Sequence, residues 1–213
     1  MPHRANSLSL RLAAPRDRRQ LVTRPPFAPP TEADIAAVSE QLGRPARDVV
    51  GIAARCVCGA PTVVSTRPRL ADGTPFPTFY YLTHPAATAA VSTLEAEGEM
   101  PKLAALLGGS EILSTESPTA PTAPTAPTAL TSPTISAHYR AAHESYIADR
   151  ETFGSVPEIA GISAGGMPDR VKCLHALVGH ALAAGVGINP IGDLALERSS
   201  WDPSVCECEQ VPS

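Results

Sequence analysis

The triplet Pro-Thr-Ala occurs four times without a break from Pro118 to Ala129. Proline at every third position removes backbone donors and bars a helix. Threonine and alanine bury too little surface to offset the entropy of ordering them. Regular structure must therefore be built on either side of this stretch. We read 31–107 and 135–198 as two parts of one α+β domain, interrupted by a low-complexity spacer over 108–134. A disordered arginine-rich leader, 1–30, precedes it, and a polar tail, 199–213, follows.

Composition limits the core to one. Of 213 residues, 34 are alanine and nine are aromatic. A buried Leu or Phe contributes roughly 1.5–3 kcal/mol and an alanine far less. Residues 1–30 carry six arginines and one acid, and the remainder carries 11 basic and 20 acidic residues. An acidic body argues against nucleic acid as a partner, because phosphate neutralisation needs clustered Lys and Arg. No apolar run reaches the roughly 18 residues of a membrane span, so no membrane insertion is expected. The leader resembles a transit peptide in charge but lacks the apolar stretch of a secretory signal. With an odd number of cysteines, this points to a cytoplasmic protein without a disulfide framework.

Local signals place the elements. Thr31 and Asp34 suit a helix start, Ile35, Val38 and Leu42 form its apolar stripe, and Gly43 ends it. Val49–Arg55 and Thr62–Thr66 read as strands joined through Cys56-Val57-Cys58-Gly59-Ala60-Pro61, with a third strand at Phe79–Leu82. A helix is expected from Pro85 to about Glu97. Later helices are expected over about Ser136–Phe153, with Tyr139, Tyr146 and Phe153 in one seam, over Pro168–Ala184, and over Pro190 to about Arg198. This order predicts a small antiparallel sheet of about three strands packed against several helices.

Four segments carry a family likeness: Gln41-Leu42-Gly43-Arg44-Pro45; Asp72 to Thr83 with its Asp-Gly-Thr-Pro-Phe-Pro-Thr start; Tyr139 to Tyr146; and Gly165-Gly166-Met167-Pro168-Asp169-Arg170-Val171-Lys172-Cys173-Leu174-His175. Together they resemble the bacterial domain-of-unknown-function family 501 over about 32–198. The resemblance implies a small cytosolic protein without an assigned activity. It also implies genes lying near those of a septum-formation initiator and an exopolyphosphatase. The spacer, the leader and the Cys-Glu-Cys tail depart from the family pattern.

The residues themselves suggest one site. Gly165 and Gly166 permit unusual backbone shapes just before an expected helix start, where free amides and the helix dipole favour an anion. Arg170 and Lys172 add charge, and Asp169 opposes it unless it caps the helix or binds metal. A phosphate- or carboxylate-bearing small molecule is the expected ligand, with a plain glycine turn as the alternative. His175, His143 and His84 are acid–base candidates, since histidine titrates near neutrality. Arg67 or Arg69 would close a cleft where the three meet. Cys56 and Cys58, with Cys173, are candidate zinc ligands, although structural zinc usually wants Cys-x₂₋₄-Cys. Free thiols or a redox pair are the alternatives. Gly161-Ile162-Ser163-Ala164-Gly165 matches Gly-x-Ser-x-Gly without the strand–turn–helix setting of a nucleophile elbow, so it is read as coincidence. Function thus stays between a small enzyme or binding protein for an anionic compound, a non-catalytic interaction module tied to division or envelope functions, and a zinc-stabilised domain.

Overall fold

A computed structural model describes residues 24–25, 27–108 and 132–208. Most of the expected leader and spacer lies outside them. The chain is an α+β domain with a three-stranded antiparallel sheet in the order β1-β2-β3: β1 Val49–Arg55, β2 Pro61–Thr66 and β3 Tyr80–Leu82. The helices among the described residues are α1 Glu32–Leu42, α2 Pro85–Ala96, α3 Glu99–Ala105, α4 Ser132–Glu151, α5 Leu174–Ala184 and α6 Pro190–Arg198. None is long and apolar enough to cross a membrane.

Local chemistry explains the first elements. The Thr31 hydroxyl accepts the Asp34 amide at 3.1 Å, and the Asp34 carboxylate accepts the Thr31 amide at 3.0 Å, closing a capping box on α1. Gly43 ends the helix in the left-handed conformation, φ 64°. Arg55 of β1 then reaches Asp34 through both guanidinium nitrogens, at 2.6 and 3.0 Å, and holds its carboxyl well below the usual range.

The sheet sorts its side chains by the two-residue period. Ile52, Val64 and Tyr81 face α1 with Val38 and Leu42. Val63, Tyr80 and Leu82 face the larger core built by α2, α4, α5 and α6. An irregularity between Ile52 and Ala54 lets both Ala53 and Ala54 join that larger core. The tyrosine seam of α4 meets the sheet: the Tyr146 hydroxyl accepts the amides of Phe79 (2.5 Å) and Tyr80 (3.3 Å). Helices α5 and α6 touch backbone to backbone, because a Cβ at Gly192 would strike the Leu177 carbonyl.

Four boundaries differ from the expectation. Helix α3 follows Gly98 directly, and its proline, Pro101, falls in the first turn, where no amide is needed. Helix α4 begins at Ser132, inside the stretch assigned to the spacer. Helix α5 begins at Leu174 rather than Pro168, because Gly165 and Gly166 adopt positive φ (69° and 97°) and the chain turns there instead of winding. Arg24 and Phe27, from the stretch assigned to the leader, pack on the domain. Arg24 pairs with Asp149 at 2.7 Å, and the Phe27 ring stacks on Phe153 at 6.1 Å.

Candidate functional site

The glycine segment forms a closed turn. The Arg170 amide donates to Gly166 O at 2.9 Å and the Lys172 amide to Gly165 O at 2.7 Å. Leu177 Cδ2 covers the place where a Gly165 side chain would stand, at 2.5 Å. Arg170 and Lys172 are exposed, and exposed Asp169 pairs with Arg140 at 3.1 Å. The helix start on which an anion was expected to rest therefore lies further on, at Leu174. Its first amide is taken by a carboxylate, Leu174 N–H donating to Glu95 Oε1 at 2.6 Å. What the glycine turn does instead is hold Cys173 and His175 at the head of α5.

There the side chains converge. Cys173 Sγ, a His175 ring nitrogen and a Glu95 oxygen all lie within 4.8 Å of one another. His175 Nδ1 meets Glu95 Oε1 at 3.2 Å, while Nε2 meets Thr88 O at 3.2 Å and Ser92 Oγ at 3.1 Å. A carboxylate and a carbonyl are acceptors, so an imidazolium donating from both ring nitrogens fits these contacts. The hydrogen bond with Cys173, then the Glu95 charge, raises His175 to about 9 against its partial burial. Reciprocally, the His175 hydrogen bond lowers Cys173 below the ordinary thiol range, opposed by burial. The thiol and the imidazole thus shift each other in opposite directions, beside a carboxylate. Cys173 and His175 line a cleft of about 460 Å³ with Tyr80, Leu82 and Ser163.

The three histidines do not meet. His143 Nδ1 lies 2.9 Å from Ser163 Oγ, and burial lowers its pKa. That pairing brings the Gly-x-Ser-x-Gly serine to the cleft wall, in a loop and not in an elbow. His84, 1% exposed, caps α2 through Nδ1 and lies tilted beside Trp201. Arg69 is turned away, donating to Gly73 O (2.8 Å) and to Glu158, and Arg67 is exposed outside the cleft lining.

Cys173 does not join Cys56 and Cys58. Their neighbours are Cys206 and Cys208 from the tail, and the four sulfurs lie within 4.8 Å of one another. The Ala60 amide, above all, lowers Cys58 to about 7, while burial raises Cys56. The tail pair was not among the zinc candidates, because Glu207 and Glu209 flank it and raise the cost of a thiolate. Glu95 was missed as well. Its signal was present: Thr88, Ser92 and Glu95 stand at i, i+4 and i+7, a polar stripe on a helix otherwise rich in alanine.

No curated protein and no solved structure matches the chain. A family model described as a protein of unknown function, DUF501, matches residues 52–122 and 128–197, which include Glu95, Ser163, Cys173 and His175 but not the tail cysteines. With more than half its length under that model, the chain belongs to the DUF501 family of proteins of unknown function.

Proposed function

We propose that the protein is a small thiol-dependent enzyme, with Cys173 as nucleophile and His175 as its proton partner. One observation carries this reading: both nitrogens of His175 stand at hydrogen-bond distance from fixed acceptors beside a half-buried cysteine. A thiolate is the reactive form of cysteine, and an adjacent imidazolium stabilises it near neutral pH. Glu95 positions the pair by accepting from both His175 and the first amide of α5. Among the described residues no second cysteine lines the cleft, so a carbon electrophile suits the site better than disulfide exchange.

The chemistry balances as acyl transfer. Cys173 Sγ attacks the acyl carbon, and the leaving group departs with its bonding electron pair and takes a proton from His175. Water then cleaves the thioester, releasing the acid and restoring thiolate and imidazolium. The test is p-nitrophenyl acetate with the full chain at pH 7. A burst of p-nitrophenol near one equivalent is expected, with the acetyl group mapped to Cys173 by mass spectrometry and the burst absent in Cys173→Ser. Acetylation of Cys173 no faster than that of free cysteine would overturn the proposal.

A further inference from the structure

A second cluster lies apart from the cleft, where the two ends of the domain meet. We infer that Cys56, Cys58, Cys206 and Cys208 form a four-thiolate zinc centre that clamps the tail onto the β1–β2 turn. Tetrahedral zinc with Zn–S bonds near 2.3 Å sets its sulfurs roughly 3.8 Å apart. Here the four sulfurs lie within 4.8 Å of one another, with Cys58 and Cys208 at 3.4 Å. A disulfide brings sulfurs to about 2.05 Å, so this spacing is that of ligands around an ion.

Structural zinc usually wants Cys-x₂₋₄-Cys, but a Cys-x-Cys pair in a tight turn can serve as half a site. The first pair sits in a tight turn. Gly59 N–H donates to Cys56 O at 2.8 Å, Cys56 N–H to Ala60 O at 2.8 Å, and Gly59 takes φ 93°. This folding of the chain brings both sulfurs to one side. The second pair is delivered by Trp201, 4% exposed and beside the His84 ring at 5.4 Å, and by the turn that follows, where Val205 N–H donates to Asp202 O.

The surroundings also suit a thiolate centre. His84 Nδ1 accepts the Ala87 amide at 3.4 Å, which leaves the ring proton on Nε2. That nitrogen lies 3.2 Å from Cys208 Sγ. An N–H aimed at a ligand sulfur is the outer-sphere contact that orients metal thiolates. Arg55, held by Asp34, also donates to Gly59 O at 2.9 Å and fixes the turn that carries the first pair. Four soft sulfur ligands select zinc over oxygen-seeking ions.

The experiment is metal analysis of the full chain purified without chelators, joined to cobalt substitution. About one zinc per chain is expected, together with the sulfur-to-cobalt charge-transfer and tetrahedral d–d bands after exchange. The Cys206→Ser, Cys208→Ser double variant should lose the metal, Cys173→Ser should keep it, and His84→Phe should weaken zinc affinity by roughly 10–100-fold. On the unmutated chain, a mercurial should release the zinc as the four named cysteines become modified, so the assignment does not depend on the variants folding. Zinc below about 0.1 per chain, disulfides among the four cysteines, iron in place of zinc, or loss of the metal in Cys173→Ser would each overturn it.

Discussion

Replacing His175 with alanine is expected to slow alkylation of Cys173 at pH 6 by roughly ten- to a hundredfold, because an unassisted thiol has a pKa near 8.5 and little thiolate at that pH. The effect is large because the stabilising charge is local. His175 is the first cause of the lowered Cys173 pKa, and burial among its neighbours acts in the opposite direction. Without the imidazolium, the desolvation remains and only the Ala176 amide still opposes it, so the variant thiol should titrate well above the wild-type one. Iodoacetamide rates followed by peptide mapping from pH 5 to 9 measure this directly. The midpoint for Cys173 should lie below that of a free thiol in the wild type and move up in the variant. Equal midpoints would show that the pair is a bystander.

Arg150→Met should destabilise the fold by about 2–4 kcal/mol, through the loss of two hydrogen bonds from a buried, charged donor. Arg150 is 2% exposed. It donates to Ile159 O at 3.0 Å and, through Nη1, to Ile162 O, tying the loop after α4 to the helix itself. Burial lowers its pKa, as expected for a cation answered mainly by neutral carbonyls. Methionine keeps much of the packing volume but no donor, so the loss falls on the hydrogen bonds. Urea unfolding followed by circular dichroism gives the value. Since Ile162 adjoins Ser163 on the cleft wall, the variant should also weaken binding or reaction in the cleft. A loss below about 0.5 kcal/mol, the range of an ordinary surface substitution, would mean that the loop holds itself.

Much of the fold could be read from neighbouring residues. The Thr31–Asp34 box, the Cys56–Pro61 turn and the Pro85 and Pro190 helix starts are short-range rules, and each element formed about where its signals lie. The site was legible in part. His175 and Cys173 were singled out, but in separate roles, one as a base in an anion site and the other as a zinc ligand. Their pairing depends on Glu95 from α2, 80 residues away, and only the packing of α2 against α5 creates it. Pro168-Asp169 looks like a helix start, yet two glycines at positive φ turn the chain and move the helix to Leu174. The tail Cys-Glu-Cys pair was visible as a pair, but its partner was not, since Cys58 stands 150 residues before Cys208.

The central claim is that His175 is a held cation at neutral pH. Nitrogen-15 NMR of histidine-labelled protein tests it most directly. Both ring nitrogens of His175 should show protonated, imidazolium shifts at pH 7.5, converting to the neutral ring near pH 9. A neutral ring at pH 7.5, with one nitrogen unprotonated, would contradict the account and leave Cys173 an ordinary half-buried thiol.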